Sequence, residues 1–213
     1  MSGQINLGDV AGDLIFEVTK RDDVKNIVEI GTWNGMGSTN CVIRAIIESN
    51  ENKNFISIEM YENMYNMALE NLNSVQILNE SGQFKRLSDY VTLLNGSIID
   101  FEDVFWFDHS EIDFDTDEHA QQWYNQDLSL LKISKNVLSE LPQQIDFLIL
   151  DGGEYTTYPE WVKLKDRTRI VALDDSSILK CSKIRKEIIE SGCYDTLYDD
   201  LKLRNGFSLF QKK

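Results

Sequence analysis

Val28-Glu29-Ile30-Gly31-Thr32-Trp33-Asn34-Gly35-Met36-Gly37-Ser38 is the stretch that decides the fold. The apolar run from Asn26 to Ile30 stops at Gly31, and two further glycines follow. Ser38 then opens a segment through Glu48 in which Cys41, Val42, Ala45 and Ile46 share one helical face. The segment is therefore a strand, a glycine-bearing turn and a helix. Glycines in such a turn adopt positive φ and let a ligand approach the backbone. The free N–H groups of the helix N-terminus favour an anionic ligand group. The spacing is G-x-x-x-G-x-G, not the G-x-G-x-x-G of dinucleotide binders. A carboxylate suits it as well as a phosphate does.

Working outward, four more apolar runs suit strands buried on both faces: Asn54 to Ile58, Val91 to Leu94, Ile145 to Leu150 and Arg169 to Leu173. Two further runs, Tyr194 to Asp199 and Gly206 to Gln211, suit a terminal antiparallel hairpin at one edge. Helical patterns fill the gaps: Val10, Leu14 and Val18 at four-residue spacing, Tyr61 to Leu72, and Ile178 to Ser191 ending at Gly192. Strand and helix alternating in this way give an α/β domain, a doubly wound parallel sheet with helices on both faces. The 100–141 stretch is longer than one connection needs and carries Phe101, Phe105, Trp106, Phe107, Trp123, Tyr124, His109 and His119. Asp115-Thr116-Asp117-Glu118 offers helix caps, so a helix is expected from about Asp117. The stretch is a helix pair packed on the sheet, a cover over the substrate site, or both, since the two readings are compatible.

The 213 residues suit a single domain, 1–213, with 42% hydrophobic and 27% charged residues. A net charge of −15 disfavours a nucleic-acid partner, and Lys163 to Arg169 is the nearest thing to a basic patch. No run of 18 apolar residues suggests a membrane span, and the N-terminal residues lack a secretory pattern, so a cytoplasmic location is expected. Cys41, Cys181 and Cys193 are too few for a disulfide framework or a thiolate metal site and read as small buried or half-buried residues.

Candidate chemistry sits after each strand. Glu29, Gly31, Thr32, Trp33, Gly35 and Ser38 form or flank the first turn. Glu59 ends the second strand, where an acid can take both hydroxyls of a ribose, with Met60 and Tyr61 beside the base. Gly96 and Ser97 follow the third strand. Asp151-Gly152-Gly153-Glu154 follows the fourth and Asp174-Asp175 the fifth. Neighbouring parallel strands bring Asp151, Asp174 and Asp175 together. Three carboxylates in one place repel, and an all-oxygen set favours a hard cation, Mg2+ or Mn2+. The alternative is separate roles, Asp151 beside the ligand and the other two capping the next helix.

These segments resemble the class I S-adenosylmethionine (SAM)-dependent methyltransferases. Val28 to Gly35 matches their first motif, Glu59 their acidic second-strand tip, and Asp151-Gly152 their fourth-strand motif, and the resemblance spans about residues 8–211. It implies a Rossmann-like seven-stranded sheet, order 3-2-1-4-5-7-6, with strand 7 antiparallel. Within the class, Glu-Ile-Gly-Thr, Leu-Asp-Gly and Leu-Asp-Asp resemble the catechol-type O-methyltransferases and the cephalosporin-hydroxylase-like group. Those groups imply a divalent cation at Asp151, Asp174 and Asp175. Relatives often carry Lys or His three residues after the fourth-strand acid; here Glu154 stands there, as a proton acceptor, a metal or substrate ligand, or a solvated acid, so the identity of the base stays open, with Asp151 and Glu154 as the catalytic candidates. The expected reaction is metal-assisted methylation of a hydroxyl on a small polar acceptor, such as a sugar or natural product. Tyr155, Tyr158 and Trp161 are candidates to stack on it, or else core. The rival readings are an NAD-dependent oxidoreductase and a non-catalytic SAM-binding interaction domain. A homodimer is compatible with the sequence.

Overall fold

The computed structural model describes residues 4–78, 82–105 and 118–213. Trp106, Phe107, His109 and the caps Asp115, Thr116 and Asp117 lie outside the described residues, as does the side chain of His119.

The chain opens with helix α1 (Val10–Lys20), capped by the Asp9 carboxylate, which accepts from Gly12 N at 2.7 Å. The central unit follows: β1 (Asn26–Ile30), α2 (Ser38–Ser49), β2 (Asn54–Glu59) and α3 (Glu62–Ser74). A small antiparallel pair, β3 (Gln76–Leu78) and β4 (Phe84–Arg86), leads to β5 (Thr92–Asn95). After α4 (Phe101–Phe105) and α5 (Glu118–Leu131) come β6 (Ile145–Leu150), α6 (Thr157–Leu164), β7 (Thr168–Asp174), α7 (Leu179–Ser191) and the hairpin β8 (Tyr194–Asp200) and β9 (Phe207–Lys212). Helix α7 stops at Gly192 in the left-handed conformation. The main sheet has seven strands in the order β5-β2-β1-β6-β7-β9-β8. All neighbours are parallel except β9, which runs antiparallel to both β7 and β8.

Alternate residues of each central strand feed two cores. Val28, Ile30, Ile58, Leu148, Leu150, Val171 and Leu173 face α5, α6 and α7 through Leu128, Leu131, Trp161, Leu164, Ile184 and Ile188. Ile27, Phe55, Phe147, Ile149, Ile170 and Ala172 face α1, α2 and α3 through Ile15, Val18, Val42, Ile46 and Leu72. Burial on both faces explains the unbroken apolar runs.

Several expectations need correcting. Ser38 is the first residue of α2 rather than its cap; Gly37 holds the cap position, with no side-chain bond. Cys41 and Cys181 are buried, but Cys193 is exposed. Trp161 and Tyr155 belong to the core and cannot stack on an acceptor. Tyr158 packs against the same core and directs its hydroxyl to Glu187 at 3.2 Å.

Candidate functional site

Register places the site. Ile30 is paired with Ile58 and with Leu150, Ile58 with Leu94, and Leu150 with Leu173. The strands therefore end in step, and Gly31, Glu59, Asn95, Asp151 and Asp174 form a row along the carboxyl edge. In an open α/β sheet that edge is where ligands bind.

Gly31 anchors the first turn, with φ +97° and its N–H bonded to Ile58 O at 3.0 Å. A Cβ there would lie 2.1 Å from the Asp151 carbonyl oxygen, so the turn after β1 touches the turn after β6. The acid at the tip of β2 is wired to the same turn. Glu59 Oε2 accepts from Trp33 N at 2.7 Å and Oε1 from Tyr61 N at 2.9 Å. Burial raises its pKa, and those backbone donors oppose the rise. Glu29 lies beneath the turn, not at its surface. It is fully buried, and its Oε2 accepts from Thr39 Oγ1 at 2.6 Å and Ser57 Oγ at 2.5 Å, tying β1 to α2 and β2.

Two cavities open on this edge. The larger, about 510 Å³, is bordered by Gly31, Trp33, Glu59, Met60, Gly96, Asp151 and Gly152, with Trp123 and Gln126 of α5 on the far wall. The smaller, about 200 Å³, runs from Thr32, Gly37 and Ser38 to Asp151, Asp174, Asp175 and Arg204. Gly31, Trp33 and Asp151 border both. Trp33 (φ +52°), Asp175 (φ +56°) and Arg204 (φ +60°) all hold left-handed backbone at the smaller cavity. Such strain concentrates at ligand sites. A broader depression of about 1,260 Å³ lies near Lys53 and Phe55, at the opposite end of β2.

Asp151, Asp174 and Asp175 do converge, with one oxygen of each within 4.8 Å of the others. The chain supplies cations of its own. Lys180 Nζ lies 2.7 Å from Asp151 Oδ1 and 2.7 Å from Asp175 Oδ2. Arg204 forks onto Asp174, Nε to Oδ1 at 2.8 Å and Nη2 to Oδ2 at 2.9 Å. Burial also raises Glu154, whose carboxyl is held by the backbone N–H of Lys180.

No protein-family model matches the sequence, and no curated protein does. Solved structures match along nearly its whole length. An O-methyltransferase from Bacillus cereus in complex with SAH superposes with a TM-score of 0.56 at 17% identity, covering 98% of this chain and 84% of that one. A provisionally assigned caffeoyl-CoA O-methyltransferase from Staphylococcus aureus gives 0.58 at 16% identity, covering 96% and 84%. A methyltransferase from Geobacter sulfurreducens gives 0.55 at 13% identity, covering 97% and 80%. The chain has the class I SAM-dependent methyltransferase fold.

Within that fold, the residues read from sequence divide by position. Gly31, Trp33, Glu59, Met60, Gly96 and Asp151 border the larger cavity, and Thr32, Ser38, Asp174 and Asp175 the smaller. Gly35 packs against Ala68 and Leu72 of α3 instead, and Ser97 turns its hydroxyl to Ile99 N at 3.2 Å. Sequence reading missed Lys180 and Arg204. It also missed Asp127 and Glu160, two buried acids, of which Glu160 borders the larger cavity. Asp127 accepts from Tyr155 N at 3.3 Å and from Tyr61 Oη at 3.5 Å. Lys180 had one legible signal: it stands in the first turn of α7, where the helix dipole disfavours a cation unless carboxylates answer it.

Glu160 is 4% exposed, and its Oε2 is buried without a hydrogen-bond partner among the described residues. Burial, helped by Asp127 and Glu59, pushes its carboxyl from 4.5 up to about 8. A carboxyl raised in the folded state favours folding in its protonated form. Its full stability is present below the unfolded value of 4.5 and is lost as pH rises towards about 8. Glu160→Gln removes that loss. Its melting temperature should gain on the wild type's as pH rises from about 4.5 to about 8 and hold that gain above, by the equivalent of a few kcal/mol, at about 1.4 kcal/mol for each pH unit between the unfolded and folded values. Melting curves for the two proteins that run parallel from pH 6 to 9 would contradict the assignment.

Proposed function

We propose that this protein transfers a methyl group from SAM to a hydroxyl oxygen of a small polar acceptor, such as a sugar or a natural-product intermediate. The observation that carries the reading is the pair of adjoining cavities, which share Gly31, Trp33 and Asp151 as border. One is sized and edged for a nucleoside, with Glu59 as ribose acceptor. The other runs from the α2 N-terminus, suited to a carboxylate, to a cluster of acids. Gly31 borders both cavities, and its lack of a side chain lets the turn after β1 close against the Asp151 carbonyl, which builds the edge the two cavities share.

SAM supplies a methyl already activated by its sulfonium, so the protein's work is alignment and proton removal. Trp33, Glu59 and Gly96 hold the nucleoside end, and Thr32 and Ser38 the amino-acid end. The acceptor oxygen attacks the methyl carbon, the carbon–sulfur bond breaks with its electron pair to sulfur, and the hydroxyl proton passes to a carboxylate. Asp151 borders both cavities and is the proton acceptor. Glu154, whose carboxyl is held by the backbone N–H of Lys180 at the start of α7, lines neither cavity and acts through the lysine that pairs with Asp151.

The test uses deuteromethyl-SAM with pools of sugars, phenols and other hydroxyl compounds, read by mass spectrometry. The expected product is a deuteromethyl ether that Asp151→Asn forms about 100-fold or more slowly. SAM binding without transfer to any pool would favour a non-catalytic SAM-binding domain. Labelled product formed by Asp151→Asn at the wild-type rate would remove Asp151 from the chemistry.

A further inference from the structure

Three carboxylates within 4.8 Å of one another need positive charge. The donor set, all oxygen, has the right chemistry for Mg2+ or Mn2+. The space does not fit. An oxygen-bound Mg2+ sits about 2.1 Å from each donor. The Lys180 ammonium already bridges Asp151 Oδ1 and Asp175 Oδ2 at 2.7 Å each, so an ion in that gap would meet it at contact distance. The remaining acid is taken as well, because both oxygens of Asp174 are engaged by the Arg204 fork. A divalent ion would have to displace one protein cation and strip the other from its partner. Lys180 is 7% exposed, and expelling a buried ammonium from both of these carboxylates is strongly unfavourable.

We propose that Lys180 is the resident cation of this site, standing where a divalent metal would otherwise sit, and that the chain works without one. Burial alone would favour the neutral amine; Asp151 and Asp175 outweigh it and hold Lys180 charged. The charge is fixed by geometry as well as by proximity, because Lys180 lies in the first turn of α7 while its partners follow β6 and β7. Its role is positioning. By engaging Asp151 Oδ1 it fixes the carboxylate and leaves Oδ2 to take the acceptor proton. That role rests on the methyl-transfer reading; the exclusion of metal does not.

The experiment is a Mn2+ titration of the full chain after chelator treatment, followed by the paramagnetic resonance signal of free Mn2+. Wild-type protein is expected to leave that signal undiminished. Lys180→Ala, which frees Asp151 and Asp175 while Arg204 stays on Asp174, is expected to take up about one Mn2+ per chain through those two carboxylates. Lys180→Arg, which restores a cation, is expected to take up none. In the transfer assay the wild type should be indifferent to chelator. Lys180→Ala should lose activity and recover part of it with added Mn2+, a rescue that a merely structural lysine would not show. Uptake of one Mn2+ by the wild type overturns the proposal, whether or not the variants fold. A folded Lys180→Ala that binds no Mn2+ overturns it too. Neither Mn2+ readout involves SAM or an acceptor, so a failure of the methyl-transfer reading is seen separately.

Discussion

Gly31→Ala is expected to lower stability by about 2–5 kcal/mol, the sum of a left-handed backbone penalty and a forced shift in a packed interior. The position combines φ +97° with an Asp151 carbonyl oxygen 2.1 Å from where the methyl would go. That oxygen belongs to backbone, so no rotamer change relieves the clash. Either β1 or β6 must move at its carboxyl end, and both cavities share that boundary. A melting temperature lower by roughly 5–15 °C follows for a chain of this size. Gly192→Ala is the control, because its φ of +64° is also left-handed but nothing lies within 4 Å of the added carbon. It should cost about 1 kcal/mol. Equal losses in the two variants would mean that the contact between the two turns carries no weight.

Glu59→Ala is expected to weaken binding of S-adenosylhomocysteine (SAH) by about 100-fold or more. The carboxylate would lose two charge-assisted hydrogen bonds to a ribose diol, at about 1.5–3 kcal/mol each. A second loss adds to it. Trp33 N donates to Glu59 Oε2 at 2.7 Å, so removing the acid also frees the first turn that borders both cavities. Glu59→Gln retains an acceptor oxygen and should fall between the two. Calorimetry gives the affinities, and thermal melting confirms that the variants are folded. An affinity within about threefold of wild type for a folded Glu59→Ala would remove Glu59 from the ribose site.

What the sequence disclosed and what it hid follow from the same physics. Strands β1, β2, β6 and β7 are buried on both faces, so their apolar runs announce them, and the acids after them are legible because those runs end so sharply; β5 has a similar run but lies half-buried at the sheet edge, not in its centre. The β3–β4 pair gives no such signal: its strands are three residues long and expose Leu78 and Phe84. Helix α6 hides behind Pro159 and a cluster of aromatics, which read equally well as ligand contacts and as core; Trp161 proves to be core. The acid cluster was visible because each aspartate follows its own strand. Its counter-charges were not. Lys180 and Arg204 come from a helix start and a distant loop, and only the folded chain shows which carboxylates they meet. Glu160 was hidden for a different reason, since an acid in a first helical turn ordinarily reads as solvated.

The most direct test of the central claim is a calorimetric titration of the wild-type chain with SAH and, in parallel, with NAD. The geometry of the Gly31 turn and Glu59 predicts saturable binding of one SAH per chain and no binding of NAD. Saturable binding of NAD with none of SAH would contradict it.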